Sequence, residues 1–214
     1  MRYYMICPVV NHSICSAGPL IAANGDVIDL YNTKADKIIE ASVTVPLEYD
    51  IPDIKNPDKL TDFIKCGSCW IVSPRAKALF ETMNLPTNFS FIKTRIQNRA
   101  GMFLADYFTL YYHDNLIDEY NSALDLDSST VRSSEKGVLL FVESWAFHPN
   151  LLPIYDVFHL NLKLIVTEQF RKLFRRNRIT NAGFVPIWSP EEGPITRFKF
   201  PPRQVDVYEN FEDV

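Results

Sequence analysis

Trp70-Ile71-Val72-Ser73-Pro74-Arg75-Ala76-Lys77-Ala78-Leu79-Phe80-Glu81-Thr82-Met83 has a counterpart later in the chain. That counterpart is Leu164-Ile165-Val166-Thr167-Glu168-Gln169-Phe170-Arg171-Lys172-Leu173-Phe174-Arg175-Arg176-Asn177. Each stretch opens on an apolar, β-branched run, which favours a buried strand. Each then places a hydroxyl residue, Ser73 or Thr167, where a helix N-cap belongs. There the side-chain oxygen accepts from a backbone N–H that the helix leaves unpaired. Pro74 suits the first helical position, where its missing N–H is not needed. Ala76, Leu79, Phe80 and Met83 fall at helical spacing on one face, as do Phe170, Leu173 and Phe174. The pattern predicts, twice, a strand, a tight capped turn and an amphipathic helix.

Both units also end alike. Leu85 precedes Phe89-Ser90-Phe91-Ile92, and Ile179 precedes Phe184-Val185-Pro186-Ile187. A strand–helix–strand unit used twice is therefore expected. Two similar solutions to one packing problem are the simpler account, and common descent of two halves is the other. The fold class expected is α+β, a mixed sheet with packed amphipathic helices. Neither copy carries a residue that does chemistry, so the pattern explains a fold and names no activity.

A chain of 214 residues is long enough for one substantial core, burying roughly 70% of its unfolded surface. Glycine is scarce, at 7 residues, which argues against a glycine-rich phosphate loop. The formal charge of −4 does not suit a general nucleic-acid binder. It suits a basic partner, but mild acidity is also the default of soluble cytosolic proteins, and that is the preferred reading. No uninterrupted apolar run reaches the length of a membrane-spanning helix. Pro8, Asn11 and His12 interrupt the N-terminus before a signal core forms. A cytoplasmic protein is expected, with Cys7, Cys15, Cys66 and Cys69 as reduced thiols.

Three divisions are expected: an N-terminal segment over 1–58, a main α+β domain over 59–190 and a Pro-rich acidic tail over 191–214. Residues 2–10 read as the first strand, and Asn24-Gly25-Asp26 as a turn between apolar segments. Residues 33–45 read as a short helix or strand. Pro46, Pro52 and Pro57 mark 46–58 as a loop or a subdomain connection. Residues 94–104 read as helical or irregular. Residues 106–117 read as a half-exposed strand, with Phe108, Leu110 and Tyr112 on one face and Tyr107, Thr109 and Tyr111 on the other. Residues 119–137 read as a surface loop, 138–142 as a strand and 147–160 as a Pro-punctuated connection.

Cys66-Gly67-Ser68-Cys69 is the sharpest local motif. A redox pair of this spacing should follow a strand and open a helix; here it precedes the strand at Trp70. A zinc site would need Cys7 and Cys15, or a histidine, to complete it, and Cys7 and Cys15 do not have the spacing of a zinc knuckle. Structural thiols are the preferred reading. Asp125-Leu126-Asp127 lacks the buried strand that a phosphoryl-transfer aspartate follows, so it reads as a solvated loop. His12, His113, His148 and His159 are scattered. His159 lies three residues from Asp156, but no nucleophile motif accompanies the pair. Arg171, Lys172, Arg175, Arg176 and Arg178 make a dense basic face on the second helix. That face could contact phosphate; the acidic chain average favours a solvated face, or one paired with the acidic tail.

Several stretches carry a family resemblance. They are Met1-Arg2-Tyr3-Tyr4-Met5-Ile6, Trp70-Ile71-Val72-Ser73, and Asp106-Tyr107-Phe108-Thr109-Leu110 leading to Leu116-Ile117-Asp118. The strongest is Pro153-Ile154-Tyr155-Asp156-Val157-Phe158, then Leu164-Ile165-Val166-Thr167 with its helix, then Ile179-Thr180-Asn181-Ala182-Gly183-Phe184. Together, over roughly residues 60–190, they resemble the Imm-eleven group of bacterial immunity proteins. That group was long classed only as a domain of unknown function, and it is encoded beside polymorphic or type VI secreted toxins. Its late segment typically has a Leu-Thr-Gly-like turn, where this chain has Asn181-Ala182-Gly183.

The resemblance implies an antidote that binds and neutralises a cognate toxin, and it supplies no catalytic residues. The expected function is stoichiometric occlusion of a toxin effector domain, such as a basic nuclease, without an enzymatic activity, a cofactor, a metal, nucleic acid or a membrane. The contact residues expected are Tyr107, Tyr111, Tyr112, Asp206, Tyr208, Glu209, Phe211, Glu212 and Asp213. Aromatic anchors and complementary charge are what such interfaces use. The alternative is a small thiol- or zinc-dependent hydrolase using Cys66 or Cys69 with His159.

Overall fold

The computed structural model describes residues 1–9, 15–16, 20–21, 27–28, 47–51, 54, 56–66, 69–87, 89–98, 100–112, 121–133, 139–160 and 163–195. The first half of the described chain forms β1 (Tyr3–Pro8), β2 (Cys15–Ser16), β3 (Leu20–Ile21), β4 (Val27–Ile28), β5 (Leu47–Asp50), β6 (Phe63–Cys66), β7 (Cys69–Val72), α1 (Pro74–Phe80) and β8 (Phe89–Gln97). The second half forms β9 (Phe103–Tyr112), β10 (Thr130–Ser133), β11 (Leu139–Ser144), β12 (Val157–Leu160), β13 (Lys163–Thr167), α2 (Glu168–Arg176), β14 (Ala182–Ser189) and β15 (Gly193–Pro194). Among the described residues two α-helices thus accompany several sheets, and strand predominates.

Five strands form an antiparallel sheet in the order β12-β13-β1-β14-β15. Six form a mixed sheet in the order β2-β5-β8-β9-β7-β6, in which β5 and β8 run parallel. Strands β10–β11 and β3–β4 make two small antiparallel pairs. Strands from both sides of residue 58 contribute to both large sheets.

The helices occupy equivalent places. α1 joins β7 to β8, which flank the antiparallel β9. α2 joins β13 to β14, which flank the antiparallel β1. The caps form as the sequence requires: Ser73 Oγ accepts from the Ala76 N–H at 3.1 Å, and Thr167 Oγ1 from the Phe170 N–H at 3.4 Å.

Alternation along the strands sends side chains into three cores. On β1, Tyr3 and Met5 join Phe158, Ile165, Val185, Trp145 and Phe147 on one face of the five-stranded sheet. Tyr4 and Ile6 point the other way, into a central core shared by both sheets and both helices. There Phe80 of α1 packs edge-on against Phe170 and Phe174 of α2, with ring centroids 4.9 and 5.2 Å away. Phe63, Trp70 and Val72 enter this core from the six-stranded sheet, while Ile64, Ile71, Ile92 and Ile96 face a third core with Leu47, Tyr49 and Tyr107. The five-stranded sheet is therefore covered on both faces, which is why β12, β13 and β14 read as nearly continuous apolar runs, whereas the six-stranded sheet leaves Lys93 and Arg95 of β8 exposed on one face.

Several local expectations change. Residues 47–50, expected in a loop, form β5. Residues 94–97, expected to be helical or irregular, complete β8, where Ile92, Thr94 and Ile96 are buried and Lys93 and Arg95 exposed. Thr130–Ser133 is a strand rather than loop, and the connection over 147–160 ends in β12. β9 is covered on both faces rather than half exposed, with Tyr107, Thr109 and Leu110 all buried. Leu20↔Ile28 and Ile21↔Val27 pair on either side of the expected Asn24-Gly25-Asp26 turn. That turn, and residues 33–45, lie outside the described residues.

Candidate functional site

Two aspartates tie the helices into the sheets, and both stand eleven residues before a helix cap. Asp62 Oδ1 accepts from Ser73 Oγ–H at 2.7 Å, and Asp156 Oδ1 accepts from Thr167 Oγ1–H at 2.8 Å. Each cap hydroxyl therefore relays a hydrogen bond from the helix N-terminus to a carboxylate. The backbones pair as well, Ser73 N–H to Asp62 O at 2.8 Å and Thr167 N–H to Asp156 O at 3.0 Å.

The second carboxylate oxygen of each aspartate binds the turn after the opposite helix. Asp62 Oδ2 accepts from Thr180 N–H at 2.9 Å and Thr180 Oγ1–H at 2.8 Å, beyond α2. Asp156 Oδ2 accepts from Asn84 N–H at 3.1 Å, beyond α1. Arg75 completes the first clasp, donating to both Asp62 oxygens and to the Arg178 carbonyl. Burial pushes the Asp62 carboxyl up, but the Arg75 guanidinium, the Thr180 N–H and the two hydroxyls outweigh it and hold it below the usual carboxylate range. Arg178 and Asn181 both adopt positive φ in the turn beyond α2. The Asn181 amide there donates to Phe63 O at 2.8 Å.

The clasps fix α2 with Phe170 and Phe174 inward, so its other face is open. Beside it runs a groove of about 660 Å³ lined by Arg2, Met83, Glu168, Lys172, Leu173 and Arg176, among others. Met1, Met83 and Leu173 are its apolar part, and Met83 also packs against the central core. Arg171 pairs with Glu168 at 3.0 Å and lies over the Tyr4 ring. Lys172 reaches the same Glu168 at only 3.7 Å and stays 70% exposed. Arg175, Arg176 and Arg178 form no ion pair among the described residues. Arg2 is held outside the sheet by Glu192, at 2.8 Å.

The expected contact residues fall in different surroundings. Tyr107 is buried and its hydroxyl donates to the Thr61 carbonyl at 2.9 Å, so it braces the sheet. Tyr111 is half-buried against the third core. Tyr112 stacks on His159 at 4.1 Å and tilts onto Phe89. Asp206, Tyr208, Glu209, Phe211, Glu212 and Asp213 lie outside the described residues.

The motifs with chemical potential are placed as follows. The Cα atoms of Cys66 and Cys69 pair across the β6–β7 hairpin; their side chains lie outside the described residues. Among the described residues no group of three or more His, Cys, Asp or Glu is placed to hold a metal ion. Asp125 Oδ1 accepts from the N–H groups of Asp127 and Ser128, a self-contained turn. His159 is buried, and burial followed by the nearby Lys163 lowers its pKa to about 4. No hydrogen bond joins it to Asp156 among the described residues. No helix there is long and apolar enough to cross a membrane.

Sequence reasoning passed over Asp62, Asn84 and Thr180, although the equal spacing of Asp62 and Asp156 from their caps was legible. Arg2 and Met83 join the groove only through tertiary packing. No curated protein matches the chain. The model of the immunity protein family (Imm11) matches residues 9–189, most of the chain, and the chain belongs to that family.

Proposed function

We propose that this chain is the antidote to a secreted antibacterial toxin, binding the cognate toxin domain and neutralising it by stoichiometric occlusion. The observation that carries this reading is membership of the immunity protein family over residues 9–189. The local chemistry supports it. The carboxylates of Asp62 and Asp156 are engaged in holding helix caps and turns, so the reading assigns them to the scaffold and assigns the function to a surface.

The contact surface we propose includes Tyr107, Tyr111 and Tyr112 of β9. It also includes the acidic tail residues Asp206, Tyr208, Glu209, Phe211, Glu212 and Asp213. Such an interface buries about 1,600 Å² and draws most of its energy from a few aromatic or charged anchors. The acidic balance of the chain favours a basic partner, such as a nuclease domain of a polymorphic or type VI secreted toxin, met in the cytoplasm. Acidic charge on the antidote then speeds the encounter.

The test is co-expression with the C-terminal toxin domain encoded in the adjacent reading frame. Co-purification of a one-to-one complex together with rescue of growth is expected. Rescue without a complex, or turnover of the toxin by catalytic amounts of the chain, would overturn occlusion.

A further inference from the structure

We propose that the acidic C-terminal segment Asp206–Asp213 docks in the groove beside α2, its carboxylates meeting Lys172 and Arg176 and its aromatic rings meeting Met83 and Leu173. The segment lies outside the described residues, and three features of the chain select it as the occupant.

The first is unbalanced charge. α2 carries Arg171, Lys172, Arg175 and Arg176 against the single Glu168. Arg171/Arg175 and Lys172/Arg176 are like-charge pairs one turn apart, an arrangement that destabilises a helix. Cations in the last turn are favoured by the helix dipole, which accounts for Arg175 and Arg176. It does not account for Lys172, which sits in mid-helix, shares the single Glu168 carboxylate with Arg171 at the longer distance of 3.7 Å, and stays 70% exposed.

The second is complementarity. Asp206, Glu209, Glu212 and Asp213 interleave with Tyr208 and Phe211. The groove interleaves Lys172 and Arg176 with Leu173 and Met83.

The third is reach. The described chain closes on Ile195, whose N–H donates to the Ile187 carbonyl at 2.9 Å. Three residues earlier Glu192 holds Arg2, which lines the groove. Residues 196–205 extend to roughly 33 Å, ample to bring Asp206 from that edge to α2. A basic toxin surface would compete with α2 for the same carboxylates, so the groove holds the tail until the toxin takes it. This second step rests on the antidote reading; the docking does not.

Hydrogen–deuterium exchange on the full chain, without toxin, tests the docking. At low salt, amides over 206–213 are expected to exchange about threefold to tenfold more slowly in the native chain than in Lys172→Glu/Arg176→Glu. The difference should vanish near ~0.5 M salt, where exposed charges are screened. The variant Glu209→Gln/Glu212→Gln leaves α2 intact and should lose the protection too, which keeps the test independent of any damage to the helix. Equal exchange in the native chain and Glu209→Gln/Glu212→Gln overturns the proposal. So does protection that grows with protein concentration, because the tail would then belong to a second copy. Growth rescue is scored separately, so failure of the docking and failure of the antidote reading remain distinct.

Discussion

Thr180 donates two hydrogen bonds to Asp62 across a separation of 118 residues, one from its backbone and one from its hydroxyl. Asn84 does the corresponding service for Asp156, 72 residues away. Each aspartate thus holds the capping hydroxyl of its own helix and the exit of the other. The two units interlock, and neither helix can leave its sheet without breaking a carboxylate contact to the other unit.

Asp62→Ala should destabilise the chain by about 3 kcal/mol, because Ser73, Thr180 and Arg75 all lose a charged acceptor. Thr180→Val should cost about 1–2 kcal/mol, and the double variant should cost less than the sum. Urea unfolding at neutral pH measures all three. Strict additivity would mean that the clasp is not a coupled unit.

The same carboxylate predicts an acid limb. Its folded pKa lies below the unfolded value of about 3.9. Its contribution is therefore present above about pH 4 and is lost as the pH falls through the folded value. Asp62→Asn should flatten the stability profile in that acid range while lowering stability at neutral pH.

His159 acts in a higher window. Its folded pKa of about 4 lies below the unfolded value of about 6.5. Between these values the unfolded chain binds the extra proton, so stability falls as the pH drops from about 6.5 to 4, by about 3 kcal/mol in all. Besides Lys163, which lowers its pKa, the group stacks on Tyr112. His159→Phe keeps a ring there and should remove this slope. A profile unchanged by the substitution would assign the slope to other groups.

The contact between the helices should be costly to remove. Phe80→Ala opens a cavity against Phe170 and Phe174, all fully buried, and should cost about 4 kcal/mol. Lys172→Ala, on the opposite face of α2, should change stability by less than about 0.5 kcal/mol. Comparable losses for both would contradict the orientation of α2.

Growth protection offers a functional check on the hairpin thiols. Cys66→Ser/Cys69→Ser should protect cells from the toxin as well as the native chain does, since occlusion needs no thiolate. Loss of protection with the fold intact by circular dichroism would revive the hydrolase reading.

Local physics made the two helix starts legible. Ser73 and Thr167 announce helix starts because a cap satisfies N–H groups within a few residues. Phe80, Phe170 and Phe174 announce a buried face because helical period is a local property. Strands β5, β10 and β12 were not legible, because a strand's hydrogen bonds are made to partners distant in sequence and short runs carry little periodicity. Lys93 and Arg95 masked β8 in the same way, although Ile92, Thr94 and Ile96 alternate with them. For the candidate site, the sequence displayed the basic residues of α2 but not the groove. Only the tertiary structure set Arg2 and Met83 beside Lys172, and Thr180 upon Asp62, because such contacts depend on how the two large sheets, α1 and α2 close around the central core they share.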